Sequence, residues 1–374
     1  MYTIREVLNK KDQKKFMNFP INLYKGNPYY VPVLFSDEKQ IFSKNYVYNS
    51  TCDCVFFIVV DENDEVVGRI EGIIQKVANE KWEQKRVRFT RFDAIDSQEV
   101  ANMLFDAVAL WAKAKGIKVF VGPLGYSDLE REGLLIEGFD KLQTYEEQYN
   151  FDYYQKLIEN YGFTKDVDWL EYKLRAPEVP DERIHRLSSI MLDRFGLKVI
   201  HPKSIKEFLD KYVYQFFEMI DITYNKLYGT VPITKEMMDP LIDSFKLIAR
   251  PGDIGLIIDK NDKVFAFAIM FPNISKIVNK YKGKITLGFL IEFLKTKKNP
   301  EYLDLGLIGV HPEFEKKGIS MGLIDTLMNI FKEKKNIKWM ETNLMLEENK
   351  NILNTIAYFD KEFTKRRRCF IKKI

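Results

Sequence analysis

The sequence predicts a chain of two structurally related α/β domains in tandem, and three internal matches carry that prediction. Residues 58–66 read Ile-Val-Val-Asp-Glu-Asn-Asp-Glu-Val and residues 256–264 read Leu-Ile-Ile-Asp-Lys-Asn-Asp-Lys-Val. Both are β-rich runs broken by an Asp-x-Asn-Asp turn, the signal of a hairpin between antiparallel strands. Asn63 and Asn261 suit the turn because Asn tolerates positive φ. Trp111–Phe120 (WAKAKGIKVF) matches Phe331–Met340 (FKEKKNIKWM), each a helix end, a Gly or Asn stop, and a strand starting at Ile117 or Ile337. Tyr149-Asn150 and Glu348-Asn349 each open a helical stretch. The order of hairpin, helix, strand and Asn-led helix is the same in both halves.

The elements follow in order. In the first half, a strand over Arg86–Phe92 leads through Asp93-Ala94-Ile95-Asp96-Ser97-Gln98-Glu99 into a helix reaching Trp111. A long insertion, Gly122–Gln148, carries Asp128, Glu130, Glu132 and Glu137, acids that would suit an amine if they lined a cleft. Ala176-Pro177-Glu178-Val179-Pro180-Asp181 is extended by its prolines and marks the boundary. We expect a first domain over 1–175, a linker or bridging helix over 176–195, and a second domain over 196–374. Residues 203–227 and 234–249 carry apolar positions at helical spacing, among them Phe208, Tyr212, Phe216 and Ile220, which read as core.

Composition narrows the class. Of 374 residues, 46% are hydrophobic and 30% charged, so the chain is neither disordered nor an integral membrane protein. The longest apolar run, Val264–Pro272, is far short of the roughly 20 residues a spanning helix needs. The start, Met1–Lys11, is charged and lacks the apolar stretch of a signal peptide. Three cysteines and three histidines supply neither a disulfide framework nor metal-ligand spacing, so a cytoplasmic chain without metal is expected. A net charge of +4 is too mild to argue for nucleic acid. No membrane partner is expected. The tail from Lys361 to Lys373 is basic and reads as a final strand.

Residues 303–333 carry the chemistry. A buried strand ends at Val310, Pro312 stops it, and a short loop with Gly318 enters a helix with apolar residues at Ile319, Leu323, Leu327 and Ile330. Such a loop aims backbone N–H groups and a helix dipole at one point, a ready phosphate site. Gly318 removes a Cβ from that approach.

The run Val310-His311-Pro312-Glu313-Phe314-Glu315-Lys316-Lys317-Gly318-Ile319-Ser320 resembles motif A of the GNAT (Gcn5-related) N-acyltransferase superfamily. Glu347-Glu348-Asn349 and the helix with Tyr358 resemble its motif B, as does Asn150–Phe163 in the first half. The resemblance covers nearly the whole chain. It implies an α/β (α+β) fold of two tandem GNAT-like domains, each a mixed, mostly antiparallel sheet flanked by helices. It further implies an acyl-CoA-dependent N-acyltransferase, with acetyl-CoA or another acyl-CoA as co-substrate and a small-molecule amine as acceptor. The pyrophosphate would lie on the backbone of Lys316, Lys317, Gly318, Ile319, Ser320 and Met321. The pantetheine arm would lie along Ile308, Gly309 and Val310, with Asn349 reaching the cofactor. A strand N–H near Val310 would stabilise the oxyanion and Tyr358 would be the general acid.

General bases by position are Asp304 and Glu341, and strand alternation would put Asp304 on the face of Gly306, Ile308 and Val310. The sequence departs from the pattern at Glu315, where Gln or Arg is usual, and at Ser320. The first half lacks the motif A glycine pattern, so only the second is expected to bind cofactor. A non-catalytic CoA-binding protein and an aminoacyl-tRNA-dependent transferase are the alternatives.

Overall fold

A computed structural model describes residues 1–179 and 181–374. The chain forms two compact units, one of Met1–Leu170, Ile274–Leu290 and Lys365–Ile374, the other of Glu171–Asn273 and Ile291–Thr364. These limits depart from the expected 1–175, 176–195 and 196–374. The first unit reclaims 274–290 through local hydrogen bonds, Phe35 N–H to Gly283 O at 3.0 Å and Asn279 Nδ2 to Tyr30 O at 2.5 Å. The segment 182–195 forms a helix, one of the two forms expected for it, and lies within the second unit.

The first unit begins with β1 (Thr3–Glu6), α1 (Lys10–Leu23), α2 (Phe35–Gln40), β2 (Cys52–Val60), β3 (Val66–Gln75) and α3 (Lys76–Lys81). It continues through β4 (Arg86–Ala94), α4 (Gln98–Ala114), β5 (Val119–Gly122), β6 (Leu134–Glu137) and α5 (Tyr153–Asn160) to β7 (Thr164–Arg175), whose last residues belong to the second unit. β1 to β4 pair antiparallel in order and β4 pairs parallel with β5. One face is apolar. Val100, Leu104, Phe105 and Val108 of α4 pack on Ile70, Phe89 and Phe120, close enough that any Cβ at Gly68 or Gly72 would strike them.

The second unit holds α6 (Glu182–Phe195), β8 (Lys198–Ile200), α7 (Ile205–Lys211), α8 (Val213–Tyr224), α9 (Lys235–Ile248), β9 (Ile254–Ile258) and β10 (Val264–Pro272). α10 (Ser275–Lys280) falls in the first unit, and α11 (Leu287–Lys298) follows. Then come β11 (Tyr302–Val310), α12 (Ser320–Glu333), β12 (Trp339–Thr342), β13 (Met345–Leu346), α13 (Lys350–Ile356) and β14 (Asp360–Lys373). The sheet order is β8-β9-β10-β11-β12, with Leu174 of β7 opposite Met340 of β12. α12 and α6 cover one face through Leu192, Leu323, Ile324 and Leu327, and α7, α8 and α9 cover the other through Phe208, Phe216, Ile220 and Phe245.

Both predicted hairpins form, with one correction. Asp61 Oδ1 accepts from Asn63 N–H and Glu65 N–H, and Asp259 Oδ1 accepts from Asn261 N–H and Lys263 N–H, all at 2.8–2.9 Å. The left-handed residues are Asp64 and Asp262, at φ 63° and 61°, not the asparagines. The strands after the second match begin at Val119 and Trp339, two residues later than expected, and Ile117 and Ile337 are buried just before them.

Candidate functional site

In the second unit β11 and β12 run parallel from Tyr302 opposite Trp339 to Leu305 opposite Thr342, and there the pairing stops. Asn343 N–H still donates to Leu305 O at 3.2 Å. β11 continues along β10 to Val310, paired with Ala266. The gap so formed exposes the edge of β11 from Gly306 onward.

A bulge at Gly306 changes which residues face which way. Leu307 lies opposite Ile269 and Leu305 opposite Met270, so Gly306 is the extra residue. A Cβ there would come within 2.5 Å of the Phe271 ring. Leu303 and Leu305 pack with the α12 core, and beyond the bulge Ile308 and Val310 do too. Asp304 therefore faces the α8 side, opposite to Ile308 and Val310, which corrects the simple alternation.

On that side Asp304 stands in register with Glu341, and Glu341 with Lys173 of β7. Both carboxylates are buried. Asn273 Nδ2 donates to Asp304 Oδ1 at 2.7 Å. The two base candidates are thus neighbours on one face.

The same face supplies a residue that sequence reasoning missed. Tyr224, at the end of α8, donates its hydroxyl to Ile308 O at 3.0 Å and accepts Ile308 N–H at 3.2 Å. Both backbone groups of Ile308 on the open edge are held by one phenol. Tyr224 continues the helical apolar line of Phe217 and Ile220, so its spacing reads as core. The available signal was its place in the last turn of the helix, where a polar tip can reach beyond the core.

The loop after β11, expected from the sequence to be a phosphate site, has a sharply turned backbone. Pro312–Phe314 forms a 3₁₀ turn, capped by His311, whose Nδ1 accepts Glu313 N–H at 3.2 Å. Glu315 N–H is engaged by Pro312 O, so it is not a donor for a ligand. Lys316 and Gly318 adopt left-handed backbone at φ 61° and 80° on either side of Lys317. Alternating backbone hands of this kind turn N–H groups to one side. Among the described residues, the N–H groups of Lys316 and Gly318 meet no backbone acceptor. The side chains of Lys316 and Lys317 are exposed, whereas Ile319 and Met321 point into the core and Ser320 opens α12 half-buried.

Gly318 has a second constraint. A Cβ on it would meet the Met191 side chain of α6 at 3.2 Å. α6 flanks the loop, with Phe195 edge-on to Phe314 and His185 Nδ1 2.9 Å from Asp325 of α12. The motif glycine thus serves close helix approach as well as its turn.

The motif B residues are placed differently from expectation. Asn349 caps α13, its side chain accepting Ile352 N–H at 3.4 Å. Tyr358 lies in the turn after α13 and is 44% exposed. It is neither on an inward helix face nor in the core, because Phe359 takes the buried position. The first-half Asn150 is no helix cap. It is buried and clamps β6, accepting Leu135 N–H at 2.7 Å and donating to Leu135 O at 3.0 Å.

The first unit repeats the architecture with other contents. β4 and β5 pair only from Arg86 opposite Val119 to Arg88 opposite Val121, and β4 carries its own bulge, with Arg91 at φ 49°. The face away from α4 holds a buried ionic network. Arg69 donates to Asp93 at 2.8 Å and to Glu38 at 2.7 Å, and Arg91 donates to Glu38 at 3.0 Å and to Glu71 at 2.8 Å. Tyr126 also donates to Glu71, and Tyr46 donates to Glu130 at 3.0 Å. Burial pushes Glu71 up to about 7 despite Arg91. Burial alone would raise Glu38 as well, but Arg91 and Arg69 hold it down to about 2. Of the acids of the insertion, Glu132 is buried and pushed well above the usual carboxylate range by that burial, whereas Glu137 is exposed.

The basic tail is paired inside the same unit. Arg366 meets Glu137 at 2.8 Å, Arg368 meets Asp168 at 2.8 Å, and buried Arg367 lies 3.3 Å from Glu147. Among the described residues no cluster of three or more His, Cys, Asp or Glu side chains could hold a metal ion.

Known structures share this architecture. A tandem GNAT protein from the clavulanic acid biosynthesis pathway aligns with 100% of this chain and 98% of its own, at TM-score 0.55 and 10% identity. The chain has the tandem GNAT fold. A GCN5-related N-acetyltransferase from Sphaerobacter thermophilus aligns with TM-score 0.51 at 9% identity, over 100% of this chain and 95% of its own. Among curated sequences, Protein YghO of Escherichia coli K12 is 25% identical over 386 aligned residues, covering 99% of this chain and 95% of its own length. A bacterial ceramide synthase of Caulobacter vibrioides is 24% identical over 312, covering 81% and 78%. No family profile matches the chain.

Proposed function

We propose that this tandem GNAT chain is a cytoplasmic N-acyltransferase that moves an acyl group from acetyl-CoA or another acyl-CoA to the amine of a small molecule, with the second unit active. The observation that carries this reading is the open edge of β11 leading into the left-handed Lys316–Gly318 loop. Acyl-CoA, when bound, supplies an activated thioester. Lys316 and Gly318 N–H groups and the Lys316 and Lys317 ammonium groups suit its pyrophosphate. The β11 edge from Gly306 to Val310 suits its amide-bearing arm.

The chain's own groups divide the remaining work. Asp304 or Glu341 takes the proton of an acceptor ammonium, being on the face from which Tyr224 enters. Tyr224, rather than Tyr358, is the acid candidate, because its O–H already stands at the open strand edge. Once that hydroxyl leaves Ile308 N–H, the N–H is available to a carbonyl oxygen that gains charge. Ceramide is an amide of a long-chain amino alcohol, so the name of the Caulobacter relative fits amide formation and favours including long acyl donors.

A second reading, an acyl-CoA-binding protein without turnover, is favoured by the Tyr224 phenol closing both groups of Ile308. Calorimetric titration with acetyl-CoA and palmitoyl-CoA, followed by thiol release with a panel of amines, separates the two. Binding at about one site per chain with amine-dependent thiol release supports the enzyme. Binding without release supports the second reading, and no binding of either donor overturns both.

A further inference from the structure

Helix α11 presents an apolar stripe to solvent. Leu287, Leu290, Ile291 and Leu294, spaced i, i+3, i+4 and i+7, are 75%, 45%, 47% and 63% exposed, and Ile285 just before them is 51% exposed. The opposite side is anchored by buried Phe289 and Phe293, with Phe289 edge-on to Tyr281. Thr286 starts the helix, its carbonyl accepting Leu290 N–H and its hydroxyl accepting Phe289 N–H. The helix therefore has a buried face of its own, and the exposed stripe is additional to it. Four large aliphatic residues in line on a surface mark a contact surface.

Charge identifies what it contacts. Residues 274–300 contain seven lysines and one acid, Glu292, a net of +6 against +4 for the whole chain. Lys298 continues the stripe eleven residues after Leu287, Lys284 precedes the helix, and both are exposed. Glu292 falls on the flank of the buried phenylalanines by helical position. A second copy of this chain would bring the same lysines against their own kind. An anionic surface with an apolar interior meets both features at once.

We propose that α11 and the lysines around it dock the protein on anionic phospholipid bilayers, the apolar stripe entering the headgroup boundary and the lysines meeting lipid phosphates. No helix among the described residues is long and apolar enough to cross a membrane, so this attachment is peripheral. It revises the sequence-based expectation of no membrane partner, and it holds whatever reaction the second unit performs.

Vesicle flotation of the full chain tests it, using phosphatidylcholine vesicles and vesicles of equal parts phosphatidylcholine and phosphatidylglycerol, at about 0.05 M and about 0.5 M salt. Flotation with the anionic vesicles, weakened at high salt, is expected. The variant L287Q/L290Q/I291Q/L294Q changes only exposed positions with a good helix former and should unfold at the wild-type temperature yet lose flotation. Replacing Lys282, Lys284, Lys295 and Lys298 by Gln should weaken partitioning roughly 600-fold, at about fivefold per lysine. Absence of flotation with anionic vesicles, or wild-type flotation by the four-Gln helix variant, overturns the proposal. So does a wild-type dimer in light scattering that the same variant dissolves, because the stripe would then be covered by a second copy.

Discussion

Tyr224 and Ile308 are joined by two hydrogen bonds through one oxygen: the phenol donates to the carbonyl at 3.0 Å and receives the N–H at 3.2 Å. In a sheet these two groups point the same way and would pair with a neighbouring strand. Here β12 has already parted from β11 at Leu305, and the phenol satisfies groups that otherwise need a partner. An acyl donor lying along this edge replaces or shares that partner, which makes Tyr224 the most informative residue to change.

Tyr224→Phe keeps the ring in the core and removes the bridging oxygen. If the hydroxyl is the acid, kcat falls by roughly 10²-fold or more while acyl-CoA affinity changes little. A tighter donor affinity with unchanged kcat would instead identify the phenol as a competitor for the strand edge. Tyr358→Phe, at an exposed turn, should leave both parameters at wild-type values.

Asp304→Asn and Glu341→Gln, measured singly across pH, should separate the base from its neighbour. The variant lacking the base loses the acid limb of kcat/KM against pH and drops about 10²-fold near neutrality. The other keeps the limb with a modest loss. Equal limbs in both variants would remove these carboxylates from proton transfer.

Gly318→Val puts a β-branched residue at φ 80° and against Met191. The strain is about 1–2 kcal/mol, which lowers Tm by roughly 2–6 °C, and CoA affinity should fall about tenfold or more. Adding Met191→Ala should recover part of the stability and none of the affinity. Recovery of both would mean that the glycine matters only for helix approach.

Stability against pH should show two slopes from the first unit. Glu71, raised to about 7, stabilises the fold when protonated, so its contribution is whole below about pH 4.5 and is lost as pH rises through 7. Glu38, held near 2, contributes above pH 4.5 and is lost as pH falls toward 2. Thermal scans of Glu71→Gln should be flatter than wild type between pH 5 and 7.5, by on the order of 1–3 kcal/mol. An unchanged slope would place the titration elsewhere.

The duplicated hairpins were legible because a short local device makes them: one Asp carboxylate accepting two N–H groups within four residues. The backbone course of the 312–318 loop was legible for the same reason, since Pro312 and Gly318 dictate it locally. Tyr224 was not, because a helical aromatic at core spacing differs from a functional one only in what its tip meets, and that is fixed by β11, some eighty residues on. The face of Asp304 was missed because one bulged glycine reverses every later side chain. Asn150 and Asn349 look alike in sequence, yet one clamps a strand and the other caps a helix. Local likeness did not determine their partners.

β14 bears on how the chain is made. Phe370 to Lys373 pair with Gly122 to Val119, and Arg366 to Arg368 pair with β6, so residues 365–374 belong to the first unit's sheet although they are synthesised after the whole second unit. On the ribosome the edge of β5 therefore waits, exposed, through the translation of some 190 residues beyond β7. Its cover arrives only when the basic strand emerges and Arg366, Arg367 and Arg368 find Glu137, Glu147 and Asp168. A nascent chain stalled before residue 365 carries an open strand edge and three carboxylates without their arginine partners, a species that chaperones and proteases are equipped to recognise.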